Sequence, residues 1–159
     1  MTQDAVPTLY EWIGGRERLE MLFMKFYERV GGDAILAPVF AGMPADHFKT
    51  VAHFVAEVLG GPALYSGDAK HSHSSMVAKH LGRKLTERQR KRWIELLLDT
   101  ADQIGLPDDP EFRSTLVGYL EWGSRIAMLN SSAVENPIDE KTPMPKWGWG
   151  EVKGPYRPS

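Results

Sequence analysis

The sequence predicts an all-α fold. Apolar residues recur at intervals of three and four in four separate stretches, as they do on helices buried along one face. Helix-start signals stand ahead of several of these stretches: Thr8-x-x-Glu11, Thr86-x-x-Gln89 and Asp109-Pro110. No stretch alternates apolar and polar residues as a half-buried strand would.

Each element follows in order. Thr8 and Glu11 form a capping box that opens a short helix, and Gly14-Gly15 ends it. From Arg16, the residues Leu19, Leu22, Phe23, Phe26, Tyr27 and Val30 mark one buried face, closed by Gly31-Gly32. Ile35 to Phe40 reads as a short apolar turn, bounded by Pro38 and by Gly42-Met43-Pro44. The next helix carries Phe48, Val51, Ala52, Val55, Val58 and Leu59. A second stripe (His47, Val51, Phe54, Val58) gives it two apolar sides, so it is expected between two partners. It ends at Gly60-Gly61-Pro62. Ala63 to Ser75 reads as a polar loop, and Met76 to Leu81 as a brief helix stopped by Gly82. Thr86 opens a long helix with Trp93, Ile94, Leu97, Leu98, Ala101 and Ile104 inward. The last long helix, after Asp109-Pro110, carries Phe112, Leu116, Tyr119, Leu120, Gly123, Ile126 and Ala127.

Past Ser131 the helical pattern collapses. Pro137, Pro143, Pro145, Pro155 and Pro158 forbid a regular helix, yet Trp147-Gly-Trp149-Gly and Tyr156 are too aromatic for an ordinary solvated tail. Two readings stand: a loose tail, or an extended strap that docks its indoles on the domain or on a neighbouring subunit. The expected division is a helical domain over 1–131 and an irregular extension over 132–159.

Composition narrows the function. The 159 residues suffice for one domain with a real core. A formal charge of −2 favours neither nucleic acid nor an anionic membrane surface. The absence of cysteine excludes disulfides, thiolate chemistry and Cys-based zinc or iron–sulfur sites, and suits a reducing cytoplasm. The N-terminus lacks a signal-peptide pattern, and no apolar run reaches membrane-spanning length. There is no phosphate-binding Gly-rich loop, nucleophile elbow or metalloprotease helix.

What remains is a histidine–tryptophan pair. His80 ends a short apolar helical pattern, and Trp93 sits inside the strongly hydrophobic helix that follows. A buried neutral imidazole is a good axial ligand for haem iron when its other ring nitrogen is held by a hydrogen bond. A buried indole N–H needs a partner, and a ligand on that iron would serve. Taken alone, His80 beside Lys79 reads more readily as a solvated helix end. A rival is zinc held by His71, His73 and His80, but no carboxylate or thiolate completes that set.

The order of helices and motifs resembles the truncated haemoglobins, small globins built as a two-over-two helical sandwich. The resemblance runs from about Thr8 to Ser131. Its motifs are Leu9-Tyr-x-x-x-Gly14-Gly15, Phe26-Tyr27-x-x-Val30, Val58-Leu59, Gly60-Gly61-Pro62-x-x-Tyr65-Ser66, His73-x-x-Met76-x-x-x-His80 and Arg92-Trp93. The tryptophan inside the penultimate helix is similar to that of the group II branch.

The resemblance implies haem b, with His80 as the proximal iron ligand and Tyr27 and Trp93 as distal hydrogen-bond donors. Phe40 would pack on the haem face, at a place where this group often carries Tyr or His. His47 and Val51 would lie over the distal side, and Phe54 and Met76 would pack against the porphyrin. Tyr65, His73, Lys79 and Arg83 would stand near the haem propionates. The implied ligands are dioxygen, nitric oxide, carbon monoxide and similar molecules. Two distal donors imply slow release, which suits nitric oxide dioxygenation or peroxide chemistry driven by an external reductase; the alternative is a gas sensor or store without turnover. A homodimer is compatible with the same reading.

Overall fold

The computed structural model describes residues 5–156. The N-terminal residues before Ala5 and Pro158 lie outside that range. Seven α-helices occur among the described residues: α1 (Leu9–Ile13), α2 (Gly15–Val30), α3 (Ala37–Phe40), α4 (His47–Val58), α5 (His73–Ala78), α6 (Glu87–Gln103) and α7 (Pro110–Ser131). A single 3-10 turn follows at Gly150–Val152, and no strand is present among these residues.

The caps explain where the helices begin. Thr8 accepts from the Glu11 amide while Glu11 reaches back to the Thr8 amide, each at 3.0 Å. Thr86 and Gln89 repeat the arrangement on α6, and Asp109 caps α7 by accepting from the Phe112 amide at 3.1 Å. Each cap satisfies amides that a helix start leaves without partners. Between α1 and α2 the chain turns at Gly14, whose φ of 110° lies in the left-handed region that glycine tolerates.

Helix α2 packs on α4 and also on α6, and α6 packs on α7. The result is the two-over-two sandwich that the helix order predicts. Leu19, Leu22, Phe23, Phe26 and Val30 of α2 are all buried, as the spacing of three and four requires. They meet Ala52, Val55, Ala56 and Val58 of α4, and Ile94, Leu97 and Ala101 of α6, in one core. Gly61 allows α1 to close on the end of α4. A Cβ there would stand 2.7 Å from both the Ala56 carbonyl oxygen and the Tyr10 ring.

Two details differ from the sequence reading. Ile35–Phe40 contains a one-turn helix, α3, rather than a plain turn. Helix α5 begins at His73 and ends at Ala78, three residues earlier at each end than expected, because Ser72 and Ser75 form a capping box of their own. His80 therefore stands in the turn after α5.

The segment beyond α7 lies along the domain. The Trp147 amide donates to the Val58 carbonyl at 2.9 Å and its indole N–H to the Thr115 carbonyl at 3.1 Å. The Trp149 indole donates to the Pro7 carbonyl at 2.7 Å, and its ring meets Trp12 and Phe112 edge-on. Trp149 is buried in the same core as the helices.

Candidate functional site

The helices enclose a cavity of about 460 Å³. Its floor and walls come from α2, the α3 corner, α4, α5 with the turn after it, α6 and α7. Among the residues singled out in the sequence, Tyr27, Phe40, His47, Val51, Phe54 and Trp93 line it from one set of elements. His73, Met76, Lys79, His80 and Arg83 line it from α5 and the following turn.

Tyr27 is the hub of an aromatic wall. Its ring lies edge-on to Phe26, Phe40 and His47, with centroids 4.9, 5.3 and 5.2 Å away. Trp93 meets the other side of Phe26 at 5.9 Å, edge-on. The Tyr27 hydroxyl and the Trp93 indole N–H have no hydrogen-bond partner among the described residues. The Tyr119 hydroxyl and the Trp122 indole N–H, which also line the cavity, have none either, whereas Trp12, Trp147 and Trp149 donate to protein acceptors. Desolvation by burial raises the Tyr27 phenol well above its ordinary value of 10.0.

The α3 corner that presents Phe40 is pinned by a residue the sequence reading passed over. The Asp33 carboxylate accepts from the amides of Ile35 and Leu36, both at 3.0 Å, and from Arg92 Nε at 2.6 Å. Burial acts against its charge, but the Arg92 guanidinium and the two amides prevail and hold the carboxyl below its ordinary 3.8. An aspartate opening a turn, two residues ahead of an apolar run, was the available signal.

His80 is held in one orientation. Its Nδ1 lies 2.9 Å from the Met76 carbonyl oxygen. A carbonyl only accepts, so Nδ1 carries the proton and Nε2 keeps its lone pair. Burial lowers the His80 pKa from 6.5, and nearby Arg83 and Lys79 act in the same direction, against the raising effect of the Met76 bond. A neutral imidazole with Nδ1–H on a backbone carbonyl is the arrangement metal-ligating histidines use. His47 is also pushed below its ordinary 6.5, first by burial and then by the positive charges of Lys79 and Arg83. These two cations therefore stand near His47, and both line the cavity.

Tyr65 departs from the expectation. It does not line the cavity. Its ring lies edge-on behind Phe54 and stacks on His71 at 4.7 Å. Its hydroxyl sits 2.8 Å from Ser75 Oγ and donates to the Ser72 carbonyl at 3.1 Å. Tyr65 thus braces the start of α5 and has no hydroxyl left for a propionate. His53 bonds Glu20 across α2 and α4 at 2.8 Å. Two more buried groups escaped notice. Glu57 accepts from the Tyr65 amide at 3.3 Å and the Ser66 amide at 2.9 Å, fixing the loop after Gly60-Gly61-Pro62. Arg90 joins α6 to α7 through Glu121 at 3.1 Å and Ser124 at 3.2 Å, and also lines the cavity. Among the described residues, no three His, Cys, Asp or Glu side chains converge as a metal-ion site of the zinc kind.

A largely apolar cavity, an oriented neutral imidazole, phenol and indole hydrogens without protein acceptors and cations at the edge together suit haem. The imidazole matches the iron, the apolar walls match the ring, and the cations match its carboxylates.

Such a fold and pocket define a globin. The chain belongs to the bacterial-like globin family, whose model matches residues 8–121. Within it, the chain is 34% identical over 127 residues to the group 2 truncated haemoglobin YjbI of Bacillus subtilis (strain 168), covering 80% of this chain and 92% of that one. The X-ray structure of a truncated oxygen-avid haemoglobin from Bacillus subtilis matches with a TM-score of 0.65 and 33% identity over 75% of this chain and 97% of that one. The group II truncated haemoglobin of Bacillus anthracis matches with a TM-score of 0.69 and 25% identity, over 87% and 98% of the two chains. As a truncated haemoglobin of this kind, the chain binds haem, and small gaseous ligands such as oxygen at its iron. No helix among the described residues is long and apolar enough to cross a membrane.

Proposed function

We propose that the chain holds dioxygen tightly and passes both of its oxygen atoms to nitric oxide to give nitrate, one electron per cycle being supplied by a separate reductase; reduction of peroxide to water by electrons from the same source is the related activity. The observation that carries this reading is the pairing, in one cavity, of an oriented His80 with a Tyr27 hydroxyl and a Trp93 indole N–H that have no protein acceptor. Haem, when bound, supplies an iron centre with a position open to a diatomic ligand.

The residues divide the work. His80 holds the iron through Nε2, with Met76 fixing the ring from behind. Tyr27 keeps its proton at neutral pH, because burial disfavours the phenolate, and so remains a donor. The Trp93 N–H does not titrate and donates at any pH. A ligand with partial negative charge is held by both, more strongly in a dry pocket than in water. Each bond contributes about 1 kcal/mol, so two together slow release by roughly an order of magnitude or more. Phe40, Val51, Phe54 and Met76 supply apolar contact to the ring, and Phe40 brings no third donor. His47 is neutral near pH 7 and so can donate into the cavity. Lys79, Arg83 and His73 offer positive or hydrogen-bonding groups to the ring's carboxylates.

Slow release fits consumption of dioxygen better than its delivery. The test supplies the haem-loaded protein with dioxygen, nitric oxide and a reductant, and follows nitrate. Nitrate accumulating over many cycles supports turnover. A single stoichiometric burst overturns it in favour of a store or sensor.

A further inference from the structure

We infer that the segment Asn136–Trp147 positions the proximal side of the pocket: it holds α5 in place and thereby governs how firmly the chain keeps its haem. The inference rests on the reading of His80 as the iron ligand.

Helix α5 has six residues, too few to be stable alone. The closely packed helix pairs are α2–α4, α2–α6, α6–α7 and α1–α2. Helix α5 belongs to none of them, although it carries the Met76 carbonyl that orients His80. Tyr65 braces Ser72 and Ser75 at its start; the rest of its position must come from elsewhere.

The strap supplies it. The Asn136 side-chain amide donates to the Ser74 carbonyl at 3.0 Å and to Ser74 Oγ at 3.1 Å. Ser74 Oγ donates in turn to the Ile138 carbonyl at 3.4 Å. His73 Nδ1 meets the Pro143 carbonyl at 3.3 Å. These contacts bind the first two residues of α5, and Ser74 is buried among them. The strap is pinned within itself at one end and to the domain at the other. Asn136 accepts from the Ile138 amide at 3.1 Å, which fixes its own side chain. Further along, Lys146 reaches the Glu57 carbonyl at 3.5 Å, and Trp147 is bonded to α4 and α7 through Val58 and Thr115. Between these anchors Pro145 lines the cavity.

A chain of contacts thus runs from α4 and α7, through the strap, to Ser74, Met76 and His80. Asn136 neither lines the cavity nor bonds His80; it is a positioning residue. Loss of its amide would release the start of α5, loosen the Met76 carbonyl and let the imidazole turn.

The full-length, haem-loaded Asn136→Asp variant tests this. Aspartate keeps the acceptor for the Ile138 amide but loses the donor to Ser74. Hemin transfer to excess apomyoglobin is expected to quicken roughly three- to tenfold, with a shift of the iron–histidine stretching band in the ferrous Raman spectrum. The thermal unfolding of the haem-free chain should change little. Ser74→Ala, which removes the hydroxyl bond to Ile138, should move both readouts the same way and less. Unchanged hemin loss with an unshifted band in both variants overturns the proposal. So does faster loss accompanied by a large drop in haem-free stability and no band shift, which would mark Asn136 as purely structural. His80→Ala separates the two levels. If that variant keeps normal haem spectra and normal hemin loss, the underlying reading of His80 fails; if it loses haem while Asn136→Asp does not, only the positioning role fails.

Discussion

Tyr27 and Trp93 stand on α2 and α6, long helices that pack against each other and bury most of their apolar faces in the core. His80 stands in a turn after a six-residue helix that packs closely with none of them. On the Tyr27 side the frame is rigid and polar hydrogens are left without partners. On the His80 side the frame is slight and almost every polar group is engaged, by Ser72, Ser75, Tyr65, Asn136 and Pro143. Packing can therefore present donors to a ligand while leaving them unengaged. Where packing is absent, a side chain is aimed by hydrogen bonds, and those bonds must be complete.

Substitutions can break this contrast. His80→Ala should have the largest effect. The other imidazole on that side, His73, is tied to the Pro143 carbonyl, so hemin loss should rise by more than about a hundredfold and the Soret band of the variant should give way to that of myoglobin on transfer to apomyoglobin. Retention of a normal spectrum would refute the assignment. Trp149→Ala should come next, because it empties a core position shared by Trp12 and Phe112. A cost of about 3–5 kcal/mol is expected in urea unfolding, and an unchanged midpoint would mean that the strap contributes nothing to the fold.

Smaller effects sharpen it. Trp93→Phe and Tyr27→Phe should each speed dioxygen release several-fold, the consequence of losing about 1 kcal/mol, with hemin loss unaltered. Stopped-flow displacement of dioxygen by carbon monoxide measures the first, and apomyoglobin transfer the second. If either variant alters hemin loss but not release, the two sides are not separable in the way described.

The smallest effect is one of pH. His47 and His73 lie below the ordinary imidazole value of 6.5 in the folded chain, chiefly through burial. Below 6.5 the unfolded chain thus holds more protons than the folded one, and stability rises with pH. The urea midpoint of the haem-free chain should be highest above that value and fall as pH drops through it towards the folded values. His47→Gln should flatten part of that slope. A midpoint that rises on acidification would reverse the sign and refute the cause.

Local chemistry was the legible part of the fold. The caps at Thr8, Thr86 and Asp109 and the apolar spacing along α2, α4, α6 and α7 act over one or two helical turns, so they can be read from neighbours in the chain. The start of α5 was harder. Its box uses Ser75 where Glu or Gln is the familiar partner, and only the short apolar run Met76-Val77-Ala78 follows to confirm it. Of the candidate site, cavity-lining residues were legible where residue type limits chemistry: an imidazole, an indole and a phenol in or beside apolar stretches. Distant partners were not legible. Glu20 meets His53 from another helix, Tyr65 finds Ser75 instead of a carboxylate outside the chain, and Asn136 sits 62 residues from the serine it binds. Nothing in the local pattern around any of them announces its partner.

The Trp149–Pro7 contact has a consequence for biosynthesis. A ribosome releases the amino end first, so α1 through α4 emerge well before the residues around 145–149 that complete the cavity wall and seal the first helix from behind. Until Pro145 has emerged, a stalled nascent chain would leave one wall of the greasy cleft unfinished and open to chaperones.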